Sequence, residues 1–364
     1  MCLSRWTASK YLAISYSEAS WTGLLNYRSC EYEMAVLDLL PEECCRALPQ
    51  LADFDDPSVS TGISETGSYW NRWPELRQSR FFLGLGDGAC ANVGSKSSTP
   101  ARIACTVGTS AAARVCLQCP VGSEAVRVPK GLFCYRIDRS HVLVGGALTD
   151  GGSVIEWISE LLNLSSEEFF RECMQQVEEL TNGDLKSSKE SAAGSVTMVP
   201  FLSGERSTGF RSGATGAMLG LTRETTPAHL LKSCLEGVTL RIAAIIKLIE
   251  EAIPGGTTRR IIASGKALEM NALWRQMLSD ATGLQVVFDN DTQEGTSRGV
   301  ACLVAVALAR AKAGATDSQH FLSEEPVNTS MVSNPRDSAK EYWLRATTNQ
   351  DRFIDNISPL FTSS

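Results

Sequence analysis

From Phe81 to Leu148 the sequence is a succession of short apolar segments cut by glycine: FFLGLG, RIACTV, AARVCLQ, GLFCYRI and HVLVGGAL. Runs of this length and spacing read as strands. The helical patterns that follow place them in a sheet wrapped by helices, an α/β domain. Helices are expected over Ser153 to Leu162, with apolar residues every three or four positions, and over Ser166 to Leu180. A further strand, VTMVPFL, leads into the loop SGERSTGFRSG. The strongest helical signal runs from Pro227 to about Ala252. Thr226 is placed to cap it, Pro227 suits the first helical position, Pro254-Gly-Gly ends it, and Leu231, Leu235, Val238, Ile242, Ile245 and Ile249 form one buried stripe. Then come a strand (RRIIAS), a helix (Ala272 to Thr282), a strand (LQVVF), an apolar helix after Gly299 and a last helix around Ala339 to Ile354.

The flanking stretches differ in texture. The first 50 residues read as helix, an irregular hairpin-like piece around Ala19 to Gly23, and acidic helical sequence from Glu31 to Leu48 that breaks or restarts at Pro41, with no core of their own. Residues 51–80 contain DFDDPSVSTGISETGSYWNRWPELRQSR, rich in Asp, Ser, Gly and Pro, and read as an interdomain linker. Residues 313–335 are polar and irregular, and 336–364 hold the closing helix and tail. No internal repeat is found.

Charge and thiols narrow the function. There are 34 basic and 41 acidic residues, a net charge of −7, with no basic block, which argues against a nucleic-acid surface. The best apolar run, Val300 to Ala309, lies between Arg298 and Arg310, too short to span a membrane, and reads as a buried helix. Met1 to Ser17 lacks the apolar core of a signal peptide, and Cys2 in place of glycine removes the myristoylation pattern, so this stretch reads as part of a folded domain. The 12 cysteines are scattered. Cys105, Cys134 and Cys302 sit in apolar contexts that suit buried thiols in a reducing cytoplasm. Cys116 and Cys119 form the one CxxC, far in sequence from all three histidines, so no metal site is expected there.

Four segments carry candidate chemistry, each with a plain structural alternative. In Gly84 to Gly94 (GLGDGACANVG), Asp87 ends an apolar segment among glycines. An acid there projects into a crevice, where it can accept a proton from a hydroxyl, or it is simply a turn acid. Thr106-Val-Gly-Thr-Ser110 is a tip between two strands, where Gly108, Thr109 and Ser110 can grip phosphate oxygens or make an ordinary hairpin turn. Thr149-Asp-Gly-Gly-Ser153 opens a helix, and the N–H groups at Gly151 and Gly152 can face an anion or be capped by Asp150. Ile262 to Ala267 (IASGKA) is a strand, a small-residue turn at Gly265, and a helix start; it admits a flat ring or is plain strand-turn-helix geometry. Neither GxxxxGK[ST] nor a strand-borne GxGxxG is present, which disfavours P-loop and dinucleotide folds.

In order, these segments together with PFLSGERSTGFR, GAMLGLTRETTPAHLLKSCLEGV and IIASGKALEMNALWRQMLSDATG closely resemble the FGGY carbohydrate kinases, in particular the gluconokinase-like subgroup. The signature from Gly216 to Glu236 is met at every constrained position checked except Cys234. The resemblance runs from about residue 10 to 312, and the helix near Tyr342 also fits.

It implies a ribonuclease H-like fold of the actin and sugar-kinase ATPase type, with residues 81–312 as the C-terminal ATP-binding domain and 1–50 as the remnant of an N-terminal, sugar-binding domain of the same kind. It further implies ATP-dependent phosphorylation of a sugar or sugar acid, gluconate-like, with Mg²⁺ and with Asp87 as general base. Gly108 and Thr109 match its phosphate hairpin, with Ser110 beside them. Gly151 and Gly152 match its approach to the nucleotide, and Gly265, Ala267 and Asn271 its adenosine-side loop. Glu205 and Arg206 match a loop lining the substrate cleft. The implied partners are the small-molecule acceptor and ATP, with no nucleic acid and no membrane; a second copy of the chain is the candidate protein partner.

Four departures qualify this. Lys266 stands where the adenosine loop has a second glycine, where it clashes with the nucleotide or reaches a phosphate, and Thr208 stands where proline is usual. Cys234 replaces a small or aliphatic residue, and no DxGTxSxR phosphate loop is found. These departures keep two alternatives open: a nucleotide-binding pseudokinase or regulatory protein, and a truncated gene product of such a kinase.

Overall fold

The computed structural model describes residues 12–57, 72–164, 166–186, 196–253, 259–290, 294–313, 326–329 and 331–361. Its centre is a seven-stranded mixed sheet of β1 (Arg102–Val107), β2 (Ala111–Gln118), β3 (Phe133–Arg136), β4 (His141–Leu148), β5 (Arg260–Ser264), β6 (Gln285–Phe288) and β7 (Met331–Ser333), in spatial order β7-β6-β5-β1-β2-β4-β3. The hairpins make β1, β2, β4 and β3 antiparallel neighbours, whereas β5 lies parallel to both β1 and β6. The parallel step from β5 to β6 is bridged by α5 (Lys266–Met270) and α6 (Ala272–Thr282), as a parallel connection requires.

The longer remaining helices are α1 (Asp87–Gly94), α2 (Gly152–Leu161), α3 (Glu167–Lys186), α4 (Pro227–Ala252), α7 (Gly295–Ala313) and α8 (Lys340–Ile357). Because side chains alternate along a strand, the sheet feeds two cores. Ala111, Ala113, Val115 and Leu117 of β2 and Val142 and Val144 of β4 pack against α4, whose six expected core residues are all buried. Cys116 and Leu143 face the other way, onto Ala89, Cys90 and Val93 of α1 and Leu303 and Ala307 of α7. There α1 and α7 touch backbone to backbone: a methyl group on Gly299 would collide with the Cys90 carbonyl. Val300 to Ala309 is therefore buried on one side only, with Val300 and Leu308 exposed, which corrects the expectation of a buried helix.

The start of α4 behaves as its sequence suggests, with the Thr226 N–H donating to His229 Nδ1 at 3.2 Å. Helix α8 is pinned by Gln350 Nε2, which donates to the carbonyls of Met198 and Gly237. Inside the helical layer Lys232 Nζ meets Glu236 at 2.6 Å, Tyr342 Oη at 2.7 Å and Asp184 at 3.0 Å, joining α4, α8 and α3.

Other expectations change. FFLGLG is extended but belongs to no strand, because its backbone pairs with distant residues. Leu83 N–H donates to Phe54 O, Ser15 Oγ to Gly84 O, and Gly86 N–H to Ser17 Oγ. Of VTMVPFL only Thr197–Val199 is strand, and it pairs with Ala217–Leu219 outside the main sheet. Among the first 50 residues Leu25–Asn26 and Glu31–Tyr32 form a small hairpin, and the helical sequence is two short pieces, Met34–Leu37 and Glu42–Arg46, the second restarting after Pro41. Ala13, Ala52 and Phe54 join the α1 and α7 core rather than one of their own. Cys105 is buried as expected, while Cys134 and Cys302 are half-buried. The expected stop at Pro254-Gly-Gly, the central part of the 51–80 linker (58–71), most of 313–335 and residues 1–11 lie outside the described residues.

Candidate active site

Three of the glycine-bearing loops meet at the Ser110 end of β2. The tip of the β1–β2 hairpin closes on itself through Gly108 N–H to Ser110 O at 2.9 Å. The start of α2 is laced onto it: Gly151 N–H donates to Thr109 O at 2.7 Å, Gly152 N–H to Gly108 O at 2.7 Å, and Ser153 N–H to Thr109 O at 3.2 Å. A side chain at Gly152 would start 2.7 Å from Gly108 O and 3.5 Å from the Ala267 methyl. Gly265, at φ +93°, packs on the other flank, where any side chain would collide with the Val107 carbonyl. Thr106 and Ser264 share a hydroxyl hydrogen bond of 2.8 Å between β1 and β5.

This arrangement corrects one expectation: the first N–H groups of α2 are given to the hairpin carbonyls and are not available to an anion. What the tip presents outward is Thr109 and Ser110, both exposed, whose hydroxyls bond to none of the described residues. Asp150 does not cap the backbone of α2. It accepts from Ser203 N–H at 2.7 Å and from the Ser203 and Ser153 hydroxyls, which ties the 203–212 loop to the same corner. Lys266 is exposed as the first residue of α5. Asn271 sits at the head of α6, where its Oδ1 accepts from Trp274 N–H at 2.9 Å.

Further along the sheet, Asp87 is the first residue of α1 and is exposed. Its Oδ1 accepts from Gly88 N–H at 2.7 Å, and the second oxygen bonds to none of the described residues. An acid suits the first turn of a helix, where the backbone N–H groups are unpaired. The packing of α1 against α7 and the Ser17 bond to Gly86 hold it in place.

Beneath α1 lies Arg114 of β2, a residue the sequence reading passed over. It stands opposite Gly145 of β4, and its Nε is 3.7 Å from where a Gly88 side chain would begin. Burial lowers the Arg114 pKa, the Asp87 carboxylate raises it, and Arg206 lowers it again. Burial raises the Tyr135 hydroxyl pKa, while Arg206 and Arg114 lower it. These four side chains therefore share one electrostatic neighbourhood. Tyr135 is the middle of a three-ring stack, with Trp21 at 4.3 Å and Phe133 at 4.7 Å and both interplanar angles under 20°. The Trp21 Nε1 edge lies against Gly86, one residue before Asp87.

Of the two expected cleft residues, Arg206 carries a charge that bears on Arg114 and Tyr135. Glu205 is buried and occupied within its own loop, by Arg211 Nε at 2.5 Å and Gly209 N–H at 3.1 Å. Arg206 is exposed on a loop fixed by paired bonds between Ser207 and Ala147. The signal for Arg114 was present in the sequence: a lone cation in the otherwise apolar AAARVCL. Nothing local marks Trp21, Phe133 or Tyr135. Cys116 and Cys119 belong to different cores, on the two faces of the sheet.

Comparison with known proteins places this chain among carbohydrate kinases. The profile of the FGGY family of carbohydrate kinases, C-terminal domain, matches residues 103–308. Gluconokinase of Bacillus subtilis (strain 168) is 28% identical over 351 residues, which cover 94% of this chain and 64% of that protein. Glycerol kinase of Borreliella afzelii (strain PKo) is 25% identical over 360 residues, covering 97% of this chain and 66% of that one. The chain thus spans just under two thirds of the length of these relatives. Among solved structures, gluconate kinase from Lactobacillus acidophilus superposes with a TM-score of 0.76 at 20% identity, over 99% of this chain and 67% of that one. Xylulose kinase from the same organism gives 0.75 at 19% identity, over 96% and 66%. The fold is the one these kinases share.

Proposed function

The chain belongs to the FGGY family of carbohydrate kinases, and from that premise we propose that it serves ATP-dependent phosphorylation of a sugar or sugar-acid hydroxyl. The observation that carries the proposal is the exposed Asp87 carboxylate, held on a helix above the same strand, β2, into which the glycine-bearing hairpin tip leads. In this reading Gly108, Thr109 and Ser110 meet the phosphates, and Gly151, Gly152 and Gly265 let the backbones of the nucleotide-side loops close on one another. Lys266 stands where it reaches a phosphate, and the Asn271 amide is on the adenosine side. From Ser110 to Arg114 is four residues, about 13 Å of strand, a span that phosphates and acceptor together can occupy.

The reaction needs little covalent help from the protein. The acceptor oxygen forms its bond to the γ-phosphorus as the bond to the β–γ bridging oxygen breaks, ADP leaves, and the acceptor proton passes to Asp87. Positioning and charge neutralisation do most of the work. Among the described residues no cluster of three or more His, Cys, Asp or Glu forms a metal site. Mg²⁺ would be carried on the nucleotide's own phosphates, its usual mode, and would neutralise charge there. Residues 81–312 read as the ATP-binding domain, and 1–50 as part of the sugar-binding side. The eleven described cysteines are free thiols, seven of them buried, which supports a reducing cytoplasm as the working compartment.

The test is ADP release by this chain with ATP, Mg²⁺ and a panel of polyols, aldoses and aldonates, alongside calorimetry with AMP-PNP. Acceptor-dependent ADP release supports the kinase. Nucleotide binding with no release for any acceptor replaces it with a pseudokinase.

A further inference from the structure

The N-terminal region and the edge of the sheet enclose an open cleft of about 550 Å³, a size that small-molecule sites commonly have. It shares no lining residue with the candidate active site. Tyr16, which is buried, lies at its floor, and Tyr32, Leu51 and Val121 form its walls. Two charged groups, Arg139 and Glu31, are exposed at its mouth.

The polar ends of the two phenols are engaged. Tyr32 Oη donates to Pro49 O at 2.9 Å, and Tyr16 Oη accepts from Arg139 Nη2 at 3.2 Å. Their rings are what the cleft offers beside Leu51 and Val121, and such a lining receives a flat apolar body. Arg139 supplies the polar contact. Its backbone is held on both sides: the N–H donates to Asp53 Oδ2 at 3.1 Å, and the carbonyl accepts from Nη1 of the fully buried Arg136 at 3.0 Å. Its guanidinium carbon lies 6.0 Å from the centre of the Tyr16 ring, and it forms no ion pair with any described residue. Asp53 meets the Arg139 backbone and not its side chain. The Tyr16 hydroxyl, an acceptor toward Arg139, keeps its own proton to donate. A guanidinium and a hydroxyl side by side, each with a donor to spare, suit one carboxylate. Glu31 at the same mouth limits the charge that can enter, because it repels a polyanion.

The chain around Tyr16 also holds the turn that leads to Asp87. Its two neighbours are buried serines: Ser15 Oγ donates to Gly84 O at 2.6 Å, and Ser17 Oγ accepts from Gly86 N–H at 3.0 Å. Gly86 immediately precedes Asp87 at the head of α1. A ligand that restrains Tyr16 therefore steadies both bonds.

We infer that the cleft between Tyr16, Tyr32 and Arg139 binds a small molecule with a flat apolar body and a single carboxylate, and that its occupancy is felt through Ser15 and Ser17 at the turn before Asp87. The carboxylate meets Arg139 and the Tyr16 hydroxyl, and the body lies against the two rings, Leu51 and Val121. Binding here requires neither nucleotide nor acceptor, so it stands or falls apart from the kinase reading.

The experiment is calorimetry of this chain with cinnamate and with cinnamyl alcohol, which differ in a carboxylate against a hydroxymethyl group. It is repeated for Arg139→Gln and Val121→Trp, with hydrogen exchange followed across residues 84–94. Expected are binding of cinnamate about tenfold tighter than of the alcohol, loss of that preference in Arg139→Gln with alcohol binding unchanged, and loss of both ligands in Val121→Trp, where an indole fills the cleft. Cinnamate should also slow exchange across 84–94 in the wild-type chain and leave it unaltered in Val121→Trp. No binding of cinnamate, equal affinities for the two probes, or binding that survives Val121→Trp overturns the site. Binding with exchange across 84–94 unaltered in the wild-type chain overturns the link to Asp87. Val121 and Arg139 are both exposed, so neither substitution removes a core side chain. Should Arg139→Gln still fail to fold, the two wild-type affinities and Val121→Trp decide.

Discussion

At the Ser110 end of β2 the candidate site is made of backbone. Hairpin carbonyls take the first N–H groups of α2, and Gly152 and Gly265 exist to let chains approach. At the Arg114 end it is made of side chains, with Asp87 from α1, Arg114 from β2, Phe133 and Tyr135 from β3, Arg206 from a loop and Trp21 from the N-terminal region. A backbone site is specified locally by glycine and turn chemistry. A side-chain site depends on which distant segments the fold aligns. The first kind suits a ligand common to a whole family, and the second suits one that differs between members.

The sharpest way to break this division is Asp87→Asn. If the acceptor end holds the base, turnover falls by about 10²–10⁴-fold while AMP-PNP binds as before; a matching loss of nucleotide affinity would merge the two ends. Next in size is Lys232→Ala, in the helical layer of α4, α8 and α3. It removes the cation from the buried Glu236 carboxylate and leaves it the Tyr342 hydroxyl as donor, and the expected loss is about 3–5 kcal/mol of stability, read in urea unfolding, with the ratio of nucleotide to acceptor affinity unchanged. Gly265→Ala places a side chain against the Val107 carbonyl at a positive φ. It is expected to cost about 1–3 kcal/mol in AMP-PNP binding by calorimetry and to spare gluconate binding.

The smallest effect concerns the support of the acceptor end. Burial, reinforced by Asp138, pushes the Asp53 carboxyl up to about 7 from its ordinary 3.8, although it accepts from Arg139 N–H and Phe54 N–H. The folded state then holds this proton more tightly than the unfolded chain does, so its contribution to stability declines as pH rises from about 4 to about 7. The urea midpoint should fall between pH 5 and pH 7.5, and Asp53→Asn should flatten that slope. An unchanged slope in the variant would show that the titrating group lies elsewhere.

The same division explains what the sequence revealed. Strands β1, β2 and β4 and helices α4 and α6 were legible because periodicity and end residues, such as Thr226-Pro227 and Asn271, act within one segment. The nucleotide-side loops were legible for the same reason, through Gly108, Gly151, Gly152 and Gly265. FFLGLG was misread as a strand because its hydrogen-bond partners are Ser15, Ser17 and Phe54, roughly 30 to 70 residues away in sequence. Arg114 gained meaning only from its register with Gly145 and from α1 lying above it. Glu205 is held within its own loop by Arg211 and Gly209, partners that its sequence neighbourhood does not announce. Local chemistry is written in the sequence, and cross-element register is not.

The most direct measurement follows the γ-phosphorus itself. Phosphorus NMR of ATP with this chain, Mg²⁺ and D-gluconate should show a phosphomonoester resonance growing in step with ADP, and that growth should be abolished in Asp87→Asn. ATP that stays intact in the presence of the wild-type chain, or that yields inorganic phosphate at the same rate with and without the acceptor, would contradict a carbohydrate kinase built around Asp87.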